Sequence, residues 1–276
     1  MKIGAIIQAR TSSTRLPKKV LKPLPANSDI CVLQQVIRRV SKSELIDEVI
    51  IATTVNRQDN EIVEVAKKEN VNFYRGSLEN VLERYYMAAL ENRLDVVVRI
   101  TSDCPCADWS IIDNIIKKHR DSGADYTSNT LTEGFPRGID AEVINFNVLK
   151  KAYENASEKF EKEHVTPYIY KTHPDDFKIV QYKTENDNSD IRITLDTPQD
   201  YALLCSVYDN LYGENNFFNL EDILELFNSK AYLKLINSEI NQKKVCNSLE
   251  EELAEIINLC EKQDLNKAKK YIEKII

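Results

Sequence analysis

The sequence predicts an α/β fold in which short apolar strands form a sheet covered by helices on both faces. Two patterns carry this reading. Apolar runs alternate regularly with helical patterns through the first half of the chain, and the runs are apolar nearly throughout, as strands buried on both faces are. A third observation places the business end. The first strand runs straight into a loop rich in Arg and Lys, and ligands of such sheets bind beyond the carboxyl ends of the strands.

Residues 2–8 read as the first strand. Residues 30–41 read as a helix with Val32, Leu33, Val36, Ile37 and Val40 on one face. Residues 48–53 (E-V-I-I-A-T) form a second strand, with a helix over 60–69. A short third strand at 72–74 precedes a helix over 78–91, and a fourth at 95–100 (D-V-V-V-R-I) precedes a helix over 110–122. This alternation predicts a parallel arrangement in which the loops 8–19, 53–59, 75–77 and 101–108 share one rim. Beyond Gly123 the pattern changes. Residues 125–129 and 139–146 read as strands around a turn bearing Gly134, Pro136 and Gly138. A helix over 148–156, a segment at 164–171 and strands at 177–182 and 191–195 follow. A helix over 198–211 opens on Pro198, an allowed first-turn position. The tail 241–276 lacks Gly and Pro. Leu249, Leu253, Ile256, Ile257 and Cys260, then Leu265, Ala268, Tyr271, Ile272 and Ile275, mark a helical hairpin packed on its own body or on a partner. The expected organisation is one domain over 1–240 with a helical extension over 241–276.

At 276 residues, 42% hydrophobic and 29% charged, the chain has the composition of a soluble globular protein. Its net charge of −7 argues against a general nucleic-acid binder and for a basic patch that serves a small anion. No apolar run reaches the ~20 residues needed to cross a membrane. The opening run is too short for a signal peptide, so a cytoplasmic location is expected. The six cysteines (Cys31, Cys104, Cys106, Cys205, Cys246, Cys260) are scattered. Cys104 and Cys106 have no second Cys or His pair nearby, and buried reduced thiols are expected rather than a metal site.

Six basic residues (Lys2, then Arg10, Arg15, Lys18, Lys19 and Lys22 within the stretch Ile3–Leu24) precede the first acidic residue, Asp29. Charge alone reads equally as a solvated surface loop or an anion site. Neither G-x-x-x-x-G-K-[ST] nor G-x-G-x-x-G occurs, and six glycines are too few for a glycine-rich phosphate cradle. Phosphate would have to be held by Arg, Lys and hydroxyl side chains, with Arg10 and Arg15 gripping in a bidentate manner and Lys19 as a mobile point charge. Thr101-Ser102-Asp103-Cys104-Pro105 follows the fourth strand, and Ile193-Thr194-Leu195-Asp196-Thr197-Pro198 repeats the pattern downstream. An aspartate there serves as a helix N-cap or as a metal ligand. Two of them beside a basic loop suit Mg²⁺ on a nucleoside triphosphate.

The motifs Q-A-R-T-S-S-T-R-L-P-K-K-V-L, T-S-D-C-P, R-G-I-D-A-E-V, E-H-V-T-P-Y and T-L-D-T-P-Q-D stand in order over residues 1 to about 240. Together they resemble the cytidylyltransferase family that includes the spore coat polysaccharide biosynthesis protein F group and, more distantly, CMP-KDO and CMP-acylneuraminate synthetases. The resemblance implies a nucleotide-diphospho-sugar transferase-like (GT-A-like) mixed sheet with helices on both faces. It also implies transfer of a cytidylyl group from CTP to a sugar acid or sugar phosphate for surface-glycan or spore-coat synthesis, with pyrophosphate released. Arg10, Arg15 and Lys19 become triphosphate ligands, with Ala9, Ser12 and Ser13 beside the nucleotide. Asp103 and Asp196 become Mg²⁺ ligands, and Arg137, Asp140, Glu142 and His164 line the sugar pocket. A homodimer is implied, with neither nucleic acid nor membrane as partner. As a lone histidine, His164 reads more often as structural, and the resemblance brings the sugar-pocket role level with that; His119 and His173 read as exposed. Arg192 pairs with a substrate carboxylate or with a sheet neighbour. Ser12 and Ser102 stand where relatives have glycine, which strains the loop if either position requires positive φ. Cys106 replaces an aliphatic residue, read as a packing change.

A glycosyltransferase on the same fold usually carries an acidic D-x-D pair, which Ser102-Asp103-Cys104-Pro105 lacks. A non-catalytic interaction protein has only the helical tail in its favour.

Overall fold

The computed structural model describes residues 1–213, 217–240 and 248–274. The chain divides into two compact units, Met1–Glu239 and Ile240–Ile276.

In the first unit, alternation along the apolar runs decides the architecture. Strand β1 (Ile3–Gln8) sends Ile3, Ala5 and Ile7 to one hydrophobic cluster and Ile6 to the other. β2 (Glu48–Thr54) and β4 (Val96–Thr101) divide their side chains in the same way, so both faces of the sheet are apolar and both need covering. On one face lie α1 (Val32–Val40), α2 (Asn60–Lys68), α4 (Trp109–Ser122), α7 (Pro198–Leu211) and α8 (Leu220–Ser229). On the other lie α3 (Val81–Glu91) and α5 (Phe146–Asn155). With β3 (Asn72–Gly76), β5 (Tyr126–Ser128), β6 (Glu142–Asn145) and β7 (Ile179–Gln181), the sheet has seven strands in the order β3-β2-β1-β4-β6-β5-β7.

The first four strands are parallel. β6 is antiparallel to both β4 and β5, so the sheet is mixed, as the fold class requires. The chain leaves β5, turns through Gly134 and Gly138, and returns between β4 and β5. The expected strand over 191–195 does not join the ladder. It makes one bridge, Arg137 to Arg192, and its backbone groups bond Arg137, Asp103, Asn188 and the Asn237 side chain.

Helix ends follow their sequence signals. Asp108 caps α4 by accepting from Ser110 N and Ile111 N, and Gly123 closes it in the left-handed region at φ 59°. Thr197 caps α7 with Pro198 in its first turn. α8, with Asn219 as its cap, was not anticipated from the sequence. A short α6 (Lys159–His164) ends where the expected 164–171 segment begins, and a π-helical turn, Tyr168–Thr172, occupies its second half.

In the second unit α9 (Leu249–Lys262) and α10 (Asn266–Ile272) form the hairpin, joined by the Lys269–Glu261 ion pair. Cys246, Ile275 and residues 241–247 at the start of the expected extension lie outside the described residues. No helix among the described residues is long and apolar enough to cross a membrane. The described cysteines are free thiols, with Cys31, Cys104, Cys106 and Cys260 buried.

Candidate active site

The carboxyl ends of β1, β2 and β4 point the same way, so the loops that follow them meet at one rim. A buried carboxylate begins the site. Asp59 has no exposed surface and accepts from Thr11 N at 2.8 Å, from Thr11 Oγ1 at 2.6 Å and from the Thr54 hydroxyl. It ties Thr11, early in the basic loop, to the end of β2. Ala9 N reaches Ala52 O (3.0 Å) and Ser102 N reaches Gln8 O (3.3 Å), extending the ladder into the loops. Neither Ser12 nor Ser102 lies at positive φ, so serine is unstrained at both positions. The left-handed residue of the loop is Lys18, at φ 53°. Ser12 Oγ is buried without a hydrogen-bond partner among the described residues, as are Gln8 Oε1 and Thr53 Oγ1. Polar atoms left in this state suit a polar ligand held against the end of the sheet.

Next comes the charged centre. Lys19, whose side chain is 13% exposed, places Nζ 2.6 Å from Asp103 Oδ2 and 2.9 Å from Asp196 Oδ1. Arg15 Nη2 reaches the same Asp196 oxygen at 3.1 Å, and Arg192 Nη2 donates to Asp196 Oδ2 at 3.0 Å. Burial pushes the Asp196 carboxyl up, but Lys19, Arg15 and Arg192 outweigh it and its pKa falls below the ordinary value. Burial likewise opposes the Lys19 charge, yet Asp103 and Asp196 raise its pKa. Arg192 is clamped from behind by Asp200, through Nε at 2.9 Å and Nη2 at 3.1 Å. Asp200 also accepts from Asp196 N (3.0 Å), Thr197 N (2.9 Å) and Asn237 Nδ2 (2.8 Å). Arg192 therefore serves this internal network. Leu195 N donates to Asp103 O at 2.8 Å, locking the two aspartate-bearing loops side by side.

Among the described residues no third His, Cys, Asp or Glu joins Asp103 and Asp196. Two carboxylate oxygens nevertheless converge on one cationic centre, which the Lys19 ammonium fills. A pair of carboxylates converging in this way fits Mg²⁺, which completes its octahedron with phosphate oxygens and water. Cys104, beside Asp103, is buried with its thiol pKa pushed far up by burial, so it stays protonated and inert.

The remaining sequence candidates lie around this centre. Arg10 is exposed and has no hydrogen-bond or ion-pair partner among the described residues. Close by, Arg84 is almost fully buried. It donates to the carbonyls of Ser77 and Leu78, with its pKa lowered by burial and, among nearby charges, by Arg10. Gly138, at φ 108°, lies so close to the Ile193–Thr194 backbone that a Cβ would come within 2.7 Å of Ile193 C. This contact seats the Arg137–Asp140 loop beside the Asp196 segment, and Arg137 N and O both bond the 191–193 backbone. The Arg137 side chain is exposed, and Asp140 is half-buried, with burial pushing its carboxyl up to about 6. Glu142 points inward: its carboxylate takes Arg99, the Tyr126 hydroxyl and Thr166 Oγ1 (2.9 Å). His164 ends α6 at a tight γ-turn, where Thr166 N bonds His164 O at 2.9 Å and Val165 is held at φ 74°. That conformation costs a β-branched residue ~1–3 kcal/mol.

His119 departs from its expected exposure. It is buried, bonded to Thr127 Oγ1 (2.9 Å) and Asn145 Oδ1 (3.1 Å), and burial lowers its pKa. His173 is exposed and stacks on Tyr168. Asp59 and Asp200 were missed as site-organising residues. Their one sequence signal was an acidic residue after a strand end or helix cap, which resembles any N-cap.

A mixed sheet whose rim brings basic and acidic side chains together is the architecture of a nucleotidyltransferase. The model of the cytidylyltransferase family matches residues 4–272, and the chain belongs to that family. It is similar to the spore coat polysaccharide biosynthesis protein SpsF of Bacillus subtilis, 34% identical, over 81% of this chain and 92% of that protein. A cytidylyltransferase structure from Leptospira borgpetersenii superposes with a TM-score of 0.79 at 31% identity, covering 89% of this chain and all of that one. A CMP:2-keto-3-deoxy-manno-octonic acid synthetase complexed with CTP shares the fold, with a TM-score of 0.57 at 15% identity over 76% of this chain and 99% of that chain.

Proposed function

We propose that this enzyme transfers the cytidylyl group of CTP to an anionic sugar, a sugar acid or sugar phosphate, for surface-glycan or spore-coat synthesis. The observation that carries the proposal is the Lys19 ammonium held between Asp103 and Asp196, at 2.6 and 2.9 Å, at the foot of the basic loop. This joins a site for a divalent cation to a site for phosphates. The name of the Bacillus subtilis relative and the CTP in the synthetase structure support the nucleotide and the glycan pathway.

In the reaction an acceptor oxygen attacks the α-phosphorus of CTP. The new oxygen–phosphorus bond forms as the bond to the β-phosphate bridge breaks, and pyrophosphate leaves with its electron pair. An attacking hydroxyl also releases its proton to solvent, whereas a phosphate oxygen brings none. Little covalent work falls to the protein, so positioning and charge neutralisation dominate. Arg10, Arg15 and Lys19 grip the β- and γ-phosphates and stabilise the departing pyrophosphate. Ala9, Ser12 and Ser13 lie along the nucleotide, and the buried Ser12 hydroxyl gains its missing partner there. Asp103 and Asp196 would hold Mg²⁺, whose bound charge offsets that developing on the α-phosphoryl group. Arg137, with its exposed guanidinium, takes the acceptor's carboxylate or phosphate. Asp140 and His164 orient its hydroxyls, and Glu142 holds the strands behind them. The body over 1–240 does the chemistry, and the extension over 241–276 is an appendage to it. The enzyme works in the cytoplasm as a homodimer, which light scattering during size-exclusion chromatography checks.

The test is pyrophosphate release from four nucleoside triphosphates against a panel of sugar acids and sugar phosphates. CTP with an anionic sugar is expected to be the productive pair. Turnover with another triphosphate alone, or with neutral sugars alone, would refute the proposal.

A further inference from the structure

The charged centre is closed upon itself. Asp196 carries three cationic side chains on its two oxygens, and Asp103 Oδ2 is taken by Lys19. Mg²⁺ binds carboxylate oxygens at about 2.0–2.1 Å. To bridge Asp103 Oδ2 and Asp196 Oδ1 it would have to enter where the Lys19 nitrogen now stands, 2.6 and 2.9 Å from those oxygens. We propose that Lys19 and Arg15 are internal counter-ions that keep the metal position shut until a triphosphate draws them away, so that metal and nucleotide enter as a linked pair. The proposal rests on the assignment of this site to a metal and CTP.

The arrangement distinguishes mobile cations from a fixed one. Arg192 is pinned by two bonds to the fully buried Asp200 and remains on Asp196 Oδ2. Lys19 sits on a flexible four-carbon stem, and the Arg15 side chain is 39% exposed; both attach to Asp196 Oδ1. Oδ1 is therefore the oxygen that a ligand can free, while Oδ2 stays occupied.

Burial sets the sign of the coupling. With only 13% of its side chain exposed, Lys19 cannot give up both carboxylates for water without leaving a buried charge uncompensated. A metal arriving alone must pay that penalty. A nucleotide arriving alone meets the reverse problem, because its phosphates would take Lys19 and Arg15 and leave Asp103 without a cation beside an Asp196 held by Arg192 alone. Each ligand removes the obstacle the other meets, so binding is positively coupled, and reciprocally so.

Mn²⁺ binding to the nucleotide-free protein, followed by electron paramagnetic resonance, tests this directly. Wild type is expected to bind weakly. Lys19→Met, which keeps the stem and removes the charge, is expected to bind Mn²⁺ on the order of ten-fold tighter. Adding Asp196→Asn to Lys19→Met is expected to abolish that gain. Lys19→Met that binds Mn²⁺ no tighter than wild type would overturn the proposal. Should circular dichroism show Lys19→Met misfolded, Arg15→Gln at its more exposed position carries the test: a several-fold gain supports the proposal and an unchanged affinity overturns it. Pyrophosphate release by wild type separates the two levels. If CTP is turned over while Lys19→Met shows no gain, only the coupling fails. If CTP is not a substrate, the functional assignment fails whatever the Mn²⁺ result.

Discussion

Asp59 Oδ1 accepts both the backbone N–H and the hydroxyl of Thr11, at 2.8 and 2.6 Å, across a separation of 48 residues. This one contact fixes where the basic loop departs from β1, and hence where Arg10, Arg15 and Lys19 stand relative to Asp103. Asp59→Ala leaves the buried Thr11 N–H without an acceptor. The expected cost is about 1–3 kcal/mol of stability in urea denaturation. Loosening of the loop is expected to weaken CTP binding by about ten-fold, because the groups proposed to bind phosphate lose their fixed placement. Asp59→Asn keeps an acceptor oxygen for Thr11 and is expected to restore most of both losses, as calorimetric titration of CTP would show.

Glu142 makes a contrasting case. It sits among the sugar-pocket candidates in the motif R-G-I-D-A-E-V, yet its carboxylate binds Arg99, Tyr126 and Thr166 inside the protein. Glu142→Gln breaks a buried ion pair and leaves the Arg99 charge uncompensated. The expected effect is a loss of about 3–5 kcal/mol in unfolding free energy. The unfolding midpoint should fall by more than a surface substitution in the same motif would cause.

Asp140 predicts a pH dependence of stability. In the folded protein it holds its proton up to about pH 6, whereas the ordinary carboxyl releases it near 3.8. Between those values the folded state binds more protons than the unfolded chain, so this group's contribution to stability falls as pH rises. Asp140→Asn removes the effect. Urea midpoints from pH 4 to 6 are expected to show wild type losing stability relative to the variant, with a constant difference above that window.

Much of this was legible in the sequence, for physical reasons that vary by region. The first four strands announced themselves because strands buried on both faces leave continuous apolar runs, and their order on the chain located the rim. Asp103 and Asp196 were visible as aspartates at the ends of apolar segments. The antiparallel return of β6 was not legible, because a four-residue strand carries no mark of its direction. The segment over 191–195 looked like a strand because it is apolar, but its backbone bonds go to Asp103, Arg137, Asn188 and Asn237 rather than into a full ladder. His119 looked solvated among Lys118, Arg120 and Asp121, although the helix turns it inward to Thr127 and Asn145. Asp59 and Asp200 could not be told from ordinary helix-start residues, because their partners lie far away in sequence or behind another side chain.

Asp103 and Asp196, bridged by Lys19, are proposed as the centre at which CTP is opened. Pyrophosphate release from CTP and an anionic sugar by Asp103→Asn, with a melting curve to confirm folding, tests it most directly. The side chain keeps its size and loses its charge, so the account predicts a fall in kcat of at least about 10²-fold, with the melting temperature little changed. Turnover equal to wild type in a folded Asp103→Asn protein would contradict it.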